Sequence, residues 1–257
     1  MRLSSDAIIK WSLRLGSLVA FALIWEVTAR QINNILLPGF SETLQELFSL
    51  LASKDLWHAL WVSNQAMLLG FALGVIVGVP LGLLIGRWSP AEIFIDPYLT
   101  ILLATPMAAL IPIIIMATGL GLASRVLIVF LFAFVVITIN TRAGLRNLEP
   151  GWIEMAHAFG ATETQIWRKV LLPGTLPAIL TGLRLGLARA ISGMLMVELV
   201  LLALGVGRLI LSFQVTLESA RLYATVLVIV AEAVILMQSI KWLERRAVPW
   251  SGQGAAS

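Results

Sequence analysis

Long apolar segments that carry few charges are the feature that most restricts how this chain can fold. Residues 66–86 contain no charged side chain, and as a helix they are long enough to cross the ~30 Å hydrocarbon core of a bilayer. Hydrophobic residues make up 59% of the chain and charged residues 12%, against about 45–50% and about 25% in soluble domains. One soluble core cannot bury so much apolar surface, so the sequence predicts an all-α integral membrane protein.

Six apolar segments are predicted to cross the membrane. The first could instead be a signal peptide, but no small-x-small cleavage site follows it, which favours an uncleaved span. The third contains Pro106 and Pro112, which fit both a bent helix that lines a cavity and a simple kink against neighbours. A glycine-rich outer loop, with Gly205 and Gly207, is expected between the last two spans. The predicted spans are 15–29, 66–86, about 99–118, 126–141, about 178–204 and 222–240.

Glycines occupy every fourth position along the second predicted span. This spacing places them close to one face of a helix, where the missing side chains let another helix approach closely. Pro80 in the same segment predicts a local kink. We therefore expect helix packing rather than chemistry from the five glycines, which are Gly70, Gly74, Gly78, Gly82 and Gly86.

The polar segment between the first two spans predicts a short helix on the membrane surface. Its apolar residues recur at i, i+3, i+4 and i+7, the spacing of one helical face, and they are Leu44, Leu47, Phe48 and Leu51. Thr43 and Glu46 form a possible capping box at the start of this helix.

The distribution of Lys and Arg predicts how the chain crosses the membrane. With both termini in the cytoplasm, the inner flanks hold more of these residues than the outer segments, as the positive-inside rule requires. The polar segment 142–173 then faces the cytoplasm, where it is either an ordinary solvated loop or a docking surface.

Two classes of partner are not expected from the composition. The net charge is +4, but the basic residues lie at the ends of apolar runs rather than in a stripe with aromatic residues, which argues against nucleic acid. A metal centre is not expected either, because the chain has no cysteine and only two distant histidines, His58 and His157.

The cytoplasmic segment predicts two short helices with one apolar side. Pro150 suits the first turn of the first helix, and Gly160 is expected to break it. Thr162 and Gln165 form a capping box for the second helix, and Pro173 is expected to end it. Apolar pairs at i, i+4 spacing are Met155 and Phe159, Ile166 and Val170, and Trp167 and Leu171. Such a knob suits a groove on a partner protein.

The spacing in this segment resembles the EAA motif of importer-type ABC transporter permeases. The motif is Glu154-x-Ala156, three residues, Gly160, nine residues and Val170-x-Leu172-Pro173. In that family this loop docks into the ATP-hydrolysing subunit. The resemblance assigns coupling to Glu154, Met155, Ala156, Phe159, Gly160, Ala161, Val170, Leu172 and Pro173.

Further matches are closest to the nitrate/sulfonate/taurine branch of that family. They are Leu37-Pro38, Gly70-Phe71, Asp96-Pro97, Pro106, Pro112, Gly119, Asn140-Thr141, Gly144, Gly182-x-Arg184, Glu198 and Gly205-x-Gly207. The chain departs from the branch at Met155, at Ala117-Thr118 and at Ile191. The last two lie near the expected passage, so the identity of the solute stays open.

The resemblance implies a type I ABC importer transmembrane domain, methionine-permease-like, in the bacterial plasma (inner) membrane. The chain lacks the phosphate loop G-x-x-x-x-G-K-[ST], so it is not expected to be an enzyme or to bind a cofactor. ATP and Mg are implied on two partner ATPase subunits. A second permease copy, as a homodimer, and a periplasmic or lipid-anchored solute-binding protein complete the implied complex, with membrane lipids around it.

The implied solute is small, an organic or inorganic anion of the sulfonate, taurine or nitrate type. The alternative function is a secondary transporter or channel that is not coupled to an ATPase.

Charges inside the spans mark a candidate translocation path, because each costs at least ~2.5–3.5 kcal/mol at the bilayer centre unless it is paired or wet. Arg189 and Glu232 could form a structural ion pair, or Arg189 could face the passage and attract an anionic solute. Glu198 near the outer mouth suggests a gate or a contact with the binding protein. With the prolines, the candidate path comprises Pro106, Pro112, Arg189, Glu198 and Glu232.

The predicted organisation has four parts. Residues 1–30 hold the N-terminal segment and first span, and residues 31–65 the outer segment with its amphipathic helix. Residues 66–240 form the permease core with the coupling loop 142–175, and residues 241–257 form a cytoplasmic tail.

Overall fold

The computed structural model describes residues 5–202 and 204–248, and within these ranges the chain is helical with short connections and no strand. Two π-helical segments, Trp167–Leu171 and Glu198–Leu202, flank α9. The predicted all-α architecture is confirmed. The helices are α1 (Ser5–Ile32), α2 (Phe40–Leu51), α3 (Lys54–Arg87), α4 (Ser89–Ala104), α5 (Met107–Thr118), α6 (Leu122–Arg146), α7 (Pro150–Ala158), α8 (Glu163–Ile166), α9 (Leu172–Val197), α10 (Gly205–Val215) and α11 (Ser219–Ala247).

Five of the described helical segments are long and apolar enough to cross a membrane. They are α1, α3, α6, the continuous segment that contains α8 and α9, and α11. The third predicted span is instead two helices, α4 and α5, bent by 103°. Pro106 has no N–H for the helical hydrogen bond and drives the preceding residue out of the helical region. Thr105 accordingly has a ψ of 130°. Of the two alternatives, the chain therefore follows the bent one at Pro106, whereas Pro112 lies inside α5.

The glycine ladder of α3 lies against α6. A Cβ added at Gly70 would lie 2.6 Å from Val129, and one added at Gly82 would lie 2.6 Å from Thr141. Only glycine permits so close an approach of the two helices. From Gly70 to Gly86, the α6 residues that the ladder meets also advance in steps of four, and they are Val129, Ala133, Ile137, Thr141 and Leu145.

Helices α3 and α6 therefore run parallel, because both series of contact residues increase in the same direction. The chain between two parallel spans must return across the bilayer, and only α4 and α5 lie between them. The broken pair thus accounts for a sixth crossing. Helix α9 packs against α6 in the opposite direction, with Gly186 against Ile137 and Gly193 against Phe132.

Several predicted boundaries fall inside helices. Helix α3 begins at Lys54 and α11 ends at Ala247, so the divisions at residues 65 and 240 cut continuous helices. The expected outer loop at Gly205 and Gly207 is the first turn of α10.

The predicted capping box of α2 is displaced by four residues. The helix begins at Phe40, and Glu42 accepts a hydrogen bond from the N–H of Gly39 at 3.2 Å. Thr43 lies inside the helix, where its hydroxyl donates to the Gly39 carbonyl at 2.9 Å. The Thr43–Glu46 box is therefore wrong.

Pro173 does not end the second helix of the cytoplasmic segment. The chain continues from α8 through the π-helical turn into α9, where Pro173 occupies the first turn. Directly before Pro173 the N–H of Leu172 donates to the carbonyl of Trp167, five residues back, so a π-helical turn replaces the i→i−4 bonds that a proline interrupts. The coupling segment is thus continuous with a membrane span.

Candidate functional site

A tight turn after α7 shapes the segment that is predicted to face the cytoplasm. The N–H of Gly160 donates to the carbonyl of His157 at 2.9 Å, and the N–H of Ala161 donates to that of Ala156 at 3.0 Å. These two bonds form a Schellman motif, which needs a left-handed residue between them, and Gly160 has a φ of +71°. The spacing from Ala156 to Gly160 is therefore the spacing of a helix end, and the predicted break at Gly160 is confirmed.

Thr162 begins the second helix of the segment, as predicted. The N–H of Gln165 donates to the Thr162 hydroxyl at 3.4 Å, and the N–H of Thr162 donates to the Gln165 side chain at 2.8 Å. Only one residue, Ala161, separates this N-cap from Gly160. The two helices consequently meet in a compact corner.

One face of this corner is anchored to the C-terminal ends of α3 and α6. Ile166 and Leu171 are buried together with Leu145 of α6. Arg87, the last residue of α3, lies 3.4 Å from the carboxylate of Glu163. The position of the corner is thus set by two membrane spans.

The other face of the corner is exposed and apolar. Phe159 is 84% exposed, Met155 55% and Trp152 46%. A groove of about 660 Å³ runs beside them and is lined by Leu148, Trp152, Met155, Ala156, Phe159, Lys169, Val170, Pro173, Gly174 and Pro177. Glu154 and Leu172 are exposed, whereas Ala161 packs inward. Most of the predicted coupling residues thus share one surface.

Arg189 lines a cavity of about 350 Å³ beside the break between α4 and α5. Its neighbours on α9, Gly186 and Gly193, pack against the middle of α6, so Arg189 lies level with the centre of that span. The structure brings Arg189 and Pro106 together, whereas Pro112 lies within α5 away from this lining. The lining is completed by Leu102, Leu103, Thr105, Met107, Ala108, Phe132, Val135, Val136 and Met196.

The structure separates Arg189 from Glu232. The side-chain amide of Asn64 on α3 donates to the Glu232 carboxylate on α11, and no ion pair joins Glu232 to Arg189 in the described part of the chain. The predicted Arg189–Glu232 pair is therefore wrong. It failed because depth along two helices does not say whether the helices face each other.

Glu198 is fully buried at the outer end of α9. The hydroxyl of Ser63 donates to its carboxylate at 2.8 Å, and the N–H of Gly207 donates at 3.1 Å. Arg125 Nη1 lies 3.8 Å from the same carboxylate. Gly205 has a φ of +55°, and a Cβ there would lie 2.1 Å from the Ser63 hydroxyl. A carboxylate sealed in this way is not accessible to a binding protein in this conformation, and the alternative role as a gate stays a prediction.

Ser63 and Arg125 are site residues that the sequence pattern did not single out. Arg125 falls between the predicted spans 99–118 and 126–141, yet it is only 7% exposed and donates to the carbonyl of Val62 at 3.1 Å. Its position directly before an uncharged apolar run was the available signal. Ser63 carries no comparable signal, because a serine before a span is ordinary.

A family model matches residues 70–249 of the chain, and its description is binding-protein-dependent transport system inner membrane component. The match includes the second half of α3, the broken pair α4–α5, the corner between α7 and α8, and the three remaining spans α6, α9 and α11.

Curated relatives cover most of the chain. The taurine transport system permease protein TauC of Escherichia coli is 28% identical over 249 residues, which is 94% of this chain and 90% of the relative. The putative aliphatic sulfonates transport permease protein SsuC of Bacillus subtilis is 29% identical and covers 88% and 83%. The formylaminopyrimidine transport permease protein ThiX of Halalkalibacterium halodurans is 28% identical and covers 89% and 91%.

Solved structures share the fold. A chain of the MetNI methionine ABC transporter, in an inward-facing conformation, superposes with a TM-score of 0.58 at 22% identity and covers 76% of this chain and 94% of that chain. An amino acid ABC transporter gives a TM-score of 0.53 at 17% identity, with 80% and 94% covered. The predicted methionine-permease-like fold is confirmed.

Proposed function

Because the chain belongs to the family of binding-protein-dependent transport system inner membrane components, we propose that it carries a small sulfonate-type anion as the permease subunit of an ATP-driven importer. The permease role comes with the family, whose model matches residues 70–249. Two relatives are named for taurine and for aliphatic sulfonates, solutes that share a sulfonate group.

The position of Arg189 is the observation that supports an anion as the transported solute. Its side chain is exposed beside a cavity at the middle of the spans, and no carboxylate lies within ion-pair distance of it among the described residues. A charge at this depth is costly unless it is paired or wet. A planar guanidinium binds oxyanions through two parallel hydrogen bonds, so a passing sulfonate would supply the missing partner.

The cavity beside Arg189 has the size that a small solute needs. Its volume of about 350 Å³ lies at the lower end of the ~300–1,000 Å³ range of ligand pockets. Its lining is largely apolar apart from Arg189 and Thr105, which matches a solute with one charged group and a short carbon chain.

The exposed corner around Phe159 is the proposed docking surface for an ATPase subunit. Apolar side chains on a short helix suit a groove on a partner, and the corner continues directly into α9, which carries Arg189. In this proposal two permease copies bind two ATPase subunits, which hold ATP and Mg, and a solute-binding protein delivers the anion from outside.

The proposed location is the bacterial inner membrane, with both termini and the corner in the cytoplasm. The excess of Lys and Arg on that side supports this orientation. The ion pairs of the outer half, such as Arg208 with Asp55, would then face the compartment of the binding protein.

Uptake by the reconstituted complex tests this function. The permease, its ATPase and the binding protein encoded beside its gene are placed in proteoliposomes, and uptake of labelled taurine is measured with and without ATP. We expect uptake only with ATP. Hydrogen bonds to charged groups contribute about 1.5–3 kcal/mol each, so Arg189→Leu should lower uptake by at least about tenfold while the complex still assembles.

Arg208→Leu is the matched control, because it removes an arginine at the outer end of α10, and its uptake should stay near wild type. Normal uptake by Arg189→Leu would contradict the role of Arg189. Transport of a pyrimidine but no sulfonate would contradict the solute class. Uptake driven by an ion gradient without ATP would favour a secondary transporter.

A further inference from the structure

Four charged side chains form a ladder between α4 and α6 at the inner end of the molecule. Asp96 pairs with Arg142 and Glu92 pairs with Arg146, and a diagonal contact of 3.8 Å joins Glu92 to Arg142. The two acids are one helical turn apart, and so are the two arginines, so that two rungs stand in register. The four residues are called the ion-pair ladder below.

The ladder lies at the root of the cytoplasmic corner. Arg142 and Arg146 occupy the last turns of α6, and α7 begins only four residues later, at Pro150. Leu145, which lies between the two arginines in sequence, is buried together with Ile166 of the corner. The last two turns of α6 therefore contact both the docking segment, through Leu145, and α4, through the two arginines.

Helix α4 connects the ladder to the cavity of Arg189. It is continuous from Ser89 to Ala104, and the nine residues from Asp96 to Thr105 span about 13 Å at ~1.5 Å per residue. Thr105 and Pro106, where α4 ends and the chain bends by 103°, both line the cavity. A shift of the inner end of α4 would therefore change the wall that faces Arg189.

The ion-pair ladder differs from the apolar contacts of α4 because it can fix the register of α4 relative to α6. Ala91 and Leu99 are buried against α3 and α6, and such packing holds the helix in the bundle without setting its register strictly. Charged pairs of partly exposed side chains add little stability, but they fix orientation and register. The ladder is therefore suited to making α4 follow the end of α6.

We propose that the ion-pair ladder transmits movement of the docking corner to the cavity wall, so that Glu92, Asp96, Arg142 and Arg146 are positioning residues for coupled transport. This rests on the proposed ATPase docking at the corner. An ATPase that moves the corner moves the end of α6, the ladder carries α4 with it, and the break at Pro106 opens or closes the cavity.

Charge reversal with rescue tests the ladder in the reconstituted complex. One variant combines Glu92→Arg with Asp96→Arg, a second combines Arg142→Glu with Arg146→Glu, and a third carries all four changes. Taurine uptake and ATP hydrolysis stimulated by the binding protein are measured together. The first two variants should lose about tenfold in uptake per ATP hydrolysed, and the third should regain most of it, because its rungs are opposite in sign again.

The pair Asp55 and Arg208 is the control, since it joins two other helices at the opposite end of the molecule. Asp55→Arg with Arg208→Glu should leave uptake per ATP unchanged. Absence of ATP-dependent uptake in the wild type would refute the proposed function itself, whereas a normal wild type with unaffected ladder variants would refute only the ladder.

Two further outcomes decide the proposal. A fourfold variant that stays as defective as the twofold variants would overturn it, since the charges would then act separately. If reversal prevents assembly of the complex, the milder pair Asp96→Asn and Arg142→Gln carries the test. Normal uptake per ATP in both of those variants would equally overturn the ladder.

Discussion

At the scale of single residues, the surroundings decide what each charge in the spans does. Arg125 and Arg189 both lie in apolar stretches, yet Arg125 is 7% exposed beside Glu198 and Arg189 opens onto a cavity. Glu198 follows α9 directly and accepts a hydrogen bond from the N–H of Gly207 in the first turn of α10. Arg125 is thus a structural partner of Glu198, whereas Arg189 is a candidate contact for the solute.

Ser63→Ala tests how much the buried Glu198 depends on its donors. The Ser63 hydroxyl donates to Glu198 at 2.8 Å and accepts from the N–H of Val206 at 3.0 Å. Its removal leaves buried polar groups with fewer partners, which costs about 1–3 kcal/mol. We expect a lower midpoint of thermal unfolding for the purified permease in detergent.

Ser239→Ala is the control for this measurement. Ser239 is exposed on α11, and its hydroxyl donates only within its own helix, to Ile235 at 2.9 Å. Its change should stay within about 0.5 kcal/mol. Equal effects of the two substitutions would show that the buried site contributes nothing particular.

At the scale of elements, the sequence predicted helix ends correctly where they depend on the backbone conformation of a few neighbouring residues. The Gly160 turn and the Thr162 cap depend on residues next to them in the chain, and both were predictable. The start of α2 was misplaced because Gly39, which carries no capping side chain, serves as its N-cap. The sequence left open whether Pro106 gives a strongly bent helix or a simple kink, since a proline alone does not say how far a chain bends.

Gly82→Ala tests the packing of the glycine ladder of α3 against α6. An added Cβ would lie 2.6 Å from Thr141 Cβ and 2.7 Å from the Thr138 carbonyl oxygen, so α3 and α6 must separate. Overpacking of this kind costs about 1–3 kcal/mol, and the thermal midpoint in detergent should fall.

Gly16→Ala is the matched control, because nothing lies within 4 Å of a Cβ there. Alanine at that helical position should be neutral or gain up to about 1 kcal/mol, and equal losses would rule out packing as the cause.

At the scale of the whole molecule, the parallel packing of α3 and α6 decides the number of crossings. Two parallel neighbours require a return between them, which gives the bent pair α4–α5 the role of a span that hydropathy alone would leave ambiguous. The same arrangement places the docking corner and the ion-pair ladder at one end, and the buried Glu198 at the other.

Single-cysteine labelling tests this topology, because the natural chain has no cysteine. Phe159 and Val215 are each 84% exposed, and only α9 crosses the membrane between them. A membrane-impermeant maleimide should label Phe159→Cys only in inverted vesicles and Val215→Cys only in right-side-out vesicles. Labelling of both from one side would contradict the crossing by α9, and the natural chain should give no signal.

The sequence by itself determined what depends on neighbours in the chain: the apolar segments, the spacing of the glycine ladder, the Gly160 turn and the apolar side of the corner. These follow from hydropathy, backbone freedom and helical periodicity. Only the tertiary structure decided which partners the charged side chains have. Glu232 accepts a hydrogen bond from Asn64, Glu198 contacts Ser63 and Arg125, and the acids of α4 pair with the arginines of α6. Periodicity places a side chain on a face of its own helix, whereas a pair of charges depends on which faces two helices turn toward each other.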